Sequence, residues 1–120
     1  MIMEKPQNIK TQFYTFGSEE DPFVLQHGRS FFPVTLAYET MGELNEAKDN
    51  AILIFHALSG TQHFAGYNDS VPGVEDLWLD EVKVGWWDAF VGPGKAIDTN
   101  KFFVVCANFL GGCYGSTGPR

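Results

Sequence analysis

Two serines, Ser59 and Ser116, lie in glycine-rich stretches that suggest a nucleophile for acyl transfer. A nucleophile elbow has the pattern G-x-S-x-G, in which the first glycine allows a sharp turn between a strand and a helix. Ala57 and Tyr114 stand at the position of that glycine here. We therefore expect no nucleophile of this kind within the 120 residues. The pattern predicts instead that both serines form local hydrogen bonds in loops.

The histidines and cysteines are the other side chains with reactive potential. His56 follows an apolar run, where it could act as a base or a metal ligand. A histidine in such a place more often donates a hydrogen bond to a backbone carbonyl. No set of Cys, His, Asp and Glu has the tight spacing of a zinc site, so we expect no metal. Cys106 lies in an apolar run, which indicates an inert core thiol. Cys113 lies in a glycine-rich loop and would be a nucleophile only where its surroundings favour the thiolate.

Two apolar runs, residues 51–55 and 102–107, must position these side chains. Neither run alternates with polar residues, which is typical of strands covered on both faces of a parallel sheet. Roughly 45 residues separate the runs, enough for the crossover connection that parallel strands need. The runs end in residues 56–60 and 108–112, which are small or polar. Because ligands of open α/β sheets bind beyond the carboxyl ends of the strands, we expect a site at these two stretches.

Residues 56–60 (HALSG) are the more informative of the two stretches. A strand that ends in small residues can direct backbone N–H groups into a pocket. In one large class of α/β enzymes, a loop of this kind supplies an N–H group to the oxyanion hole. Such a donor stabilises the developing oxyanion of acyl transfer by about 3 kcal/mol.

The residues before these runs predict an antiparallel meander. Residues 11–16 and 23–26 are rich in β-forming types and are separated by a turn cluster. Val34, Leu36 and Tyr38 then alternate with polar or small residues. A period of two predicts a half-buried strand whose inward face carries these three apolar side chains.

The domain organisation follows from the same pattern. Residues 1–10 are polar and predict a loose tail, and residues 11–120 predict one domain. Helical turns are expected near residues 44–47 and 86–91. The acidic stretch 68–84 is interpreted as a surface excursion with a solvated face, and the sequence assigns it no role.

Composition excludes several classes of function. The net charge is -7, with 8 Lys and Arg against 15 Asp and Glu, which argues against binding to nucleic acid. Two cysteines are too few for a disulfide scaffold. No apolar run approaches the length that spans a membrane, and no signal peptide is evident at the start. These features indicate a cytoplasmic protein.

Five segments carry a family resemblance across residues 11–120. The chain resembles the amino-terminal part of the homoserine O-acetyltransferase family, acyl-CoA-dependent enzymes of methionine biosynthesis with an α/β-hydrolase fold. The tryptophan pair and the glycine-rich segment near the end make a chance similarity improbable. The segments, in order, are 36–42 (LAYETMG), 56–60 (HALSG), 85–88 (GWWD), 92–99 (GPGKAIDT) and 111–119 (GGCYGSTGP).

The resemblance implies a fold class and a mechanism. The fold is α/β, the amino-terminal portion of an α/β-hydrolase fold, in which an antiparallel meander leads into parallel strands. The mechanism is ping-pong: a serine takes the acetyl group from acetyl-CoA, and L-homoserine then accepts it. In the family the backbone N–H at the position of Leu58 contributes to the oxyanion hole. By their place in this loop, Ala57, Ser59 and Gly60 are expected to shape the substrate pocket.

The resemblance also implies what lies elsewhere. The nucleophilic serine and the aspartate and histidine that act as acid and base are expected beyond this chain, so we expect the 120 residues alone to be inactive. No metal or bound cofactor is implied, and the full-length parent is expected to be a homodimer. Succinyl-CoA as donor, serine as acceptor, a hydrolase of the same fold and a non-catalytic interaction module remain open alternatives.

Overall fold

The strands of the chain are short and are joined by long connections. The computed structural model describes residues 6–119. Within these residues there are eight strands: β1 (Gln12–Phe16), β2 (Phe23–Val24), β3 (Ser30–Phe31), β4 (Val34–Met41), β5 (Ala51–Ile54), β6 (Val91–Gly92), β7 (Ile97–Asp98) and β8 (Phe103–Ala107). Four of them form the main sheet, in the order β1-β4-β8-β5.

The two apolar runs form parallel strands, as predicted, and the structure places them next to each other. β5 pairs with β8 in parallel, with Leu53 opposite Val105. β8 also pairs antiparallel with β4, and β4 pairs antiparallel with β1. The crossover from β5 to β8 contains the small parallel pair of β6 and β7.

The front of the chain is not the predicted meander. β2 and β3 pair only with each other in a separate two-stranded sheet, and β1 pairs with β4 across them. Gly28 has φ +95° in the β2–β3 turn, which explains the glycine there. Local strand preference is satisfied by any partner, so it identifies the strands without identifying how they pair.

Helices are absent from the described residues apart from one 3₁₀ turn at Asp80–Val82. The helical turns expected near residues 44–47 and 86–91 are isolated hydrogen-bonded turns. In the second region, Val91 donates its N–H to the carbonyl of Trp87, but the chain then enters β6 and extends. The helical layers of the predicted α/β class are therefore not present in residues 6–119. Among these residues there is also no helix with the length and apolar character of a membrane span.

The main core lies on one face of the sheet. The register places Ile54, Cys106 and Glu39 side by side on that face. The crossover covers this face with Phe64, Ala65 and Val91. On the opposite face Leu53 is 59% exposed, and Phe55, just beyond β5, is 73% exposed. The prediction that the run 51–55 is covered on both faces is therefore wrong for the described chain, because β5 is an edge strand and the crossover covers one face only.

The orientation of β4 also differs from the prediction. Val34 is fully buried, as predicted, whereas Leu36 and Tyr38 are only half-buried. The other buried side chains are Ala37, Glu39 and Met41, so from Ala37 onward the face that carries a carboxylate points into the core. The Glu39 carboxylate points into the core because His63, on the segment after β5, pairs with it there.

Glu39 and His63 form a buried pair. Glu39 Oε1 lies 2.9 Å from His63 Nδ1, and both side chains are fully shielded from solvent. His63 Nε2 lies 2.7 Å from the carbonyl oxygen of Lys83, and Thr11 donates its hydroxyl to Glu39 Oε2. Both ring nitrogens therefore face oxygen atoms, and these contacts hold the ring from two sides.

The stretch 68–84 has a small core of its own. Val71, Val74 and Trp78 are buried together, and the indole N–H of Trp78 donates to the carbonyl of Asn68 at 2.8 Å. Its acidic side chains are exposed, as predicted for a solvated face, whereas its buried apolar side chains pack against one another. Trp78 contacts His63 on the main domain, with ring centroids 5.8 Å apart.

The tail expected at residues 1–10 is described only from residue 6 onward, and residues 1–5 lie outside the described part. Ile9 is buried in the main core, and its N–H donates to the carbonyl of Tyr67 at 2.9 Å. Tyr67 in turn donates its N–H to the carbonyl of Gln7. These bonds attach residues 7–9 to the start of the stretch 68–84.

The Glu39–His63 pair leads to a stability prediction. Glu39→Ala leaves His63 buried without its carboxylate, so we expect the free energy of unfolding to fall by about 3 kcal/mol or more. Urea denaturation measures this change. The matched control is Glu43→Ala, a change at an exposed glutamate that follows the same strand, which should cost less than about 0.5 kcal/mol. Equal losses for the two variants would contradict the assigned role of the pair.

Candidate functional site

The loop after β5 is a tight turn at the carboxyl end of the parallel strands. Gly60 donates its N–H to the carbonyl oxygen of Ala57 at 2.8 Å, which closes a four-residue turn. Leu58 and Ser59 form its corner, and the Leu58 side chain is 96% exposed. Across residues 6–119, neither the Leu58 nor the Ser59 backbone N–H has a hydrogen-bond acceptor. Both groups are therefore available to a ligand.

Two cavities adjoin this turn. One of about 360 Å³ is lined by residues 56, 58–60 and 108–114. The other, of about 290 Å³, is lined by residues 57, 59–61 and 63, together with the end of the acidic stretch and Trp86. Ser59 and Gly60 line both cavities, Leu58 lines only the first and Ala57 only the second. The turn thus forms a partition at the edge of the sheet where the sequence predicted a site.

His56 has the structural role that the sequence favoured. Its Nδ1 lies 2.6 Å from the carbonyl oxygen of Ala57, and this contact is a hydrogen bond donated by the ring. Its Nε2 accepts the backbone N–H of Phe109 at 3.3 Å, and the ring stacks on the Phe109 ring. His56 is buried and therefore connects the two loops that the parallel strands present.

The loop after β8 is held by Asn108, a residue that sequence reasoning passed over. Its side-chain oxygen accepts the N–H of Tyr114 at 3.3 Å, and its carbonyl accepts the Ser116 hydroxyl at 2.7 Å. Gly112 packs against it so closely that a Cβ there would lie 2.6 Å from the Asn108 side-chain oxygen. The available signal was its position, directly after an apolar strand, where a buried amide can satisfy several loop groups.

The Ser116 hydroxyl forms structural hydrogen bonds and lines neither of the two cavities. Besides donating to Asn108, its hydroxyl oxygen accepts the N–H of Ala37 at 3.0 Å. Thr117 makes similar bonds to Thr35, so residues 116–117 lie beside β4 next to the part that β8 does not pair with. The serine therefore forms hydrogen bonds in a loop, as predicted, but one partner is a distant strand.

Comparison with known proteins finds relatives that match most of the chain. No family model matches the chain. A homoserine O-acetyltransferase of Deferribacter desulfuricans is 54% identical over 111 residues, which are 92% of this chain and 26% of that protein. The resemblance to the homoserine O-acetyltransferase family is confirmed. A homoserine O-succinyltransferase of Cellvibrio japonicus is 56% identical over 100 residues, which are 83% of this chain and 24% of that protein.

Solved structures agree with this assignment. The crystal structure of a homoserine O-acetyltransferase from Bacillus anthracis has a TM-score of 0.68 and 38% identity, over 88% of this chain and 25% of that one. Esterase E22 has the same TM-score and 31% identity, over 87% of this chain and 25% of that one. The chain is therefore a partial α/β-hydrolase-like unit that spans about a quarter of the length of the relatives it matches.

The two cysteines differ in their surroundings. Cys106 is fully buried beside the Glu39 carboxylate, and burial, followed by that negative charge, raises the pKa of its thiol to about 12. This confirms that Cys106 is a core thiol, and its inertness stays a prediction. Cys113 is exposed in the loop after β8 and lines the larger cavity. Among residues 6–119, no three His, Cys, Asp or Glu side chains are grouped to hold a metal ion.

This contrast predicts selective labelling. Iodoacetamide at pH 8 should modify Cys113 in the native protein within minutes, while Cys106 remains a buried thiol and reacts only after denaturation. Peptide mass spectrometry measures both sites. Cys113→Ser should abolish native labelling within this segment, and rapid native labelling of Cys106 would contradict the structure.

Proposed function

We propose that the protein carrying this chain transfers the acetyl group of acetyl-CoA to the hydroxyl of L-homoserine, giving O-acetyl-L-homoserine and CoA. The observation that carries the proposal is the Leu58 N–H, which has no acceptor in residues 6–119 and lies beside a cavity at the carboxyl end of the parallel strands. Relatives about 50% identical to the chain are named homoserine acyltransferases. An unpaired N–H at this place suits an oxyanion that forms transiently.

The proposed mechanism has two acyl-transfer steps. A serine hydroxyl from outside this chain attacks the thioester carbonyl while a histidine takes its proton, and the carbonyl oxygen becomes an oxyanion. The Leu58 N–H donates to that oxyanion. The carbon–sulfur bond then breaks, and the thiol of CoA leaves with the proton. In the second step the homoserine hydroxyl loses its proton to the same base and attacks the acyl carbon, which forms a second oxyanion. The carbon–oxygen bond to the serine then breaks, and the serine oxygen takes the proton back from the histidine.

The other residues of the turn are proposed to shape the substrate pocket. Ser59 and Gly60 line both cavities, so they separate the two spaces that a donor and an acceptor would occupy. Ala57 is small and lines the second cavity. A Cβ added at Gly60 would lie 3.0 Å from His56 Cβ and 3.1 Å from the Ala57 carbonyl oxygen, so a larger residue would distort the turn.

A specific observation supports an alternative donor. The relatives named homoserine O-succinyltransferases are 52–56% identical to this chain, as high as the acetyltransferases. A succinyl group carries a carboxylate that calls for an additional cationic or donor group in the pocket. Structural similarity to an esterase supports hydrolysis as a further alternative. Homodimerisation of the full-length protein and a cytoplasmic location remain part of the proposal.

Activity of the full-length protein tests these assignments. With acetyl-CoA and L-homoserine we expect release of free thiol together with O-acetyl-L-homoserine, detected by a thiol reagent and by mass spectrometry. Thiol release with succinyl-CoA only would establish the succinyltransferase alternative. Thiol release without any amino acid acceptor would establish a hydrolase.

The donor role of Leu58 has its own test. Leu58 is the second residue of the turn and has a negative φ, a position where proline is favoured, so Leu58→Pro deletes the N–H and preserves the turn. We expect kcat to fall by about 10²–10³-fold. Leu58→Ala keeps the N–H and should lose far less. Equal kcat values for the two variants, with equal melting temperatures, would contradict the role of this N–H.

A further inference from the structure

We propose that His56 is a positioning residue that fixes the direction of the Leu58 N–H and couples it to the loop after β8. The inference rests on the proposed function for its catalytic consequence, while its geometric content can be tested separately. The His56 side chain does not need to contact the substrate for this role.

The key atom is the carbonyl oxygen of Ala57. It accepts two hydrogen bonds, from His56 Nδ1 at 2.6 Å and from the Gly60 N–H at 2.8 Å. This carbonyl and the Leu58 N–H belong to the same peptide unit, which is trans. Since a trans peptide is planar, its C=O and N–H point in opposite directions, and fixing one end fixes the other. The two bonds therefore aim the Leu58 N–H away from the turn.

The same bonds also strengthen the donor. Hydrogen bonds along a chain polarise one another, so a carbonyl that accepts two bonds leaves its peptide N–H more positive. Only the His56 ring, one of the two donors to this carbonyl, is buried. His56 thus contributes both orientation and polarisation to a group that acts on a developing negative charge.

The other ring nitrogen determines the tautomer. His56 Nε2 lies 3.3 Å from the backbone nitrogen of Phe109 and 3.5 Å from the side-chain nitrogen of Asn108. Both groups are donors, so Nε2 must be an acceptor and the proton must be on Nδ1. The ring is therefore neutral, with an Nδ1–H directed at the Ala57 carbonyl. Through Nε2 and the stacking on Phe109, whose ring centroid is 3.9 Å away, the same ring holds the opposite wall of the larger cavity.

Two near-isosteric substitutions separate the functions of the two nitrogens. The amide nitrogen of His56→Asn can replace Nδ1–H, and the amide oxygen of His56→Gln reaches toward the place of Nε2. In the full-length protein we expect His56→Asn to keep kcat within about fivefold of wild type, and His56→Gln to lose about 10²-fold, with KM changing less than threefold in both. A purely structural histidine would give equal kcat values for the two variants and equal losses of melting temperature. The control is His27→Asn, an exposed histidine in the β2–β3 turn, which should keep wild-type kcat.

A spectroscopic measurement distinguishes failure of this inference from failure of the proposed function. In ¹⁵N-labelled protein the ring shifts of His56 should report the Nδ1–H tautomer. The Leu58 amide resonance should move in His56→Gln and stay close to wild type in His56→Asn. If wild-type protein has no acyltransferase activity but these signals are found, the proposed function is wrong and the positioning of the peptide stands. An Nε2–H tautomer, or unchanged kcat in His56→Gln, would overturn the inference.

Discussion

The buried pair of Glu39 and His63 is the interaction on which the arrangement of this chain depends. It joins the central strand β4 to the segment that leaves β5, and through the Lys83 carbonyl it reaches the end of the stretch 68–84. A carboxylate in a core requires a partner, so the position of Glu39 dictates where His63 must pass. The turn at residues 57–60 lies between this anchor and the end of β5. The turn is consequently fixed at one end by β5 and at the other by the buried His63.

The site consists of backbone N–H groups that have no acceptor of their own, while the neighbouring carbonyl and side chains are fixed by hydrogen bonds. The Leu58 and Ser59 N–H groups have no acceptor in the described chain, whereas the Ala57 carbonyl between them and His56 accepts two bonds. Across the cavity, Asn108 holds the second loop through its side chain and its carbonyl. Preorganised donors of this kind need little reorganisation when charge develops, which is why a small turn can contribute to acyl transfer.

Particular elements show how far sequence reasoning reached. The runs at 51–55 and 102–107 predicted two parallel strands, which the structure confirms, although β5 is covered on one face only. The burial of Leu36 and Tyr38 in β4 was mispredicted because a period of two defines two faces without saying which is buried. Glu39 points inward only because His63, 24 positions later, offers it a partner. The meander failed for a related reason, since β1 pairs with β4 and bypasses the intervening hairpin.

The sequence by itself determined the four strands of the main sheet, the turn residues and the family resemblance, because these depend on local side-chain type and on motifs that can be read in order. It also placed the candidate site at residues 56–60, since strand ends and small residues are local signals. Only the tertiary structure decided which face of β4 is buried, that the stretch 68–84 has its own core, and that His56 bonds to both Ala57 and Phe109. These features depend on contacts between residues far apart in the chain, and such contacts have no signature in local composition.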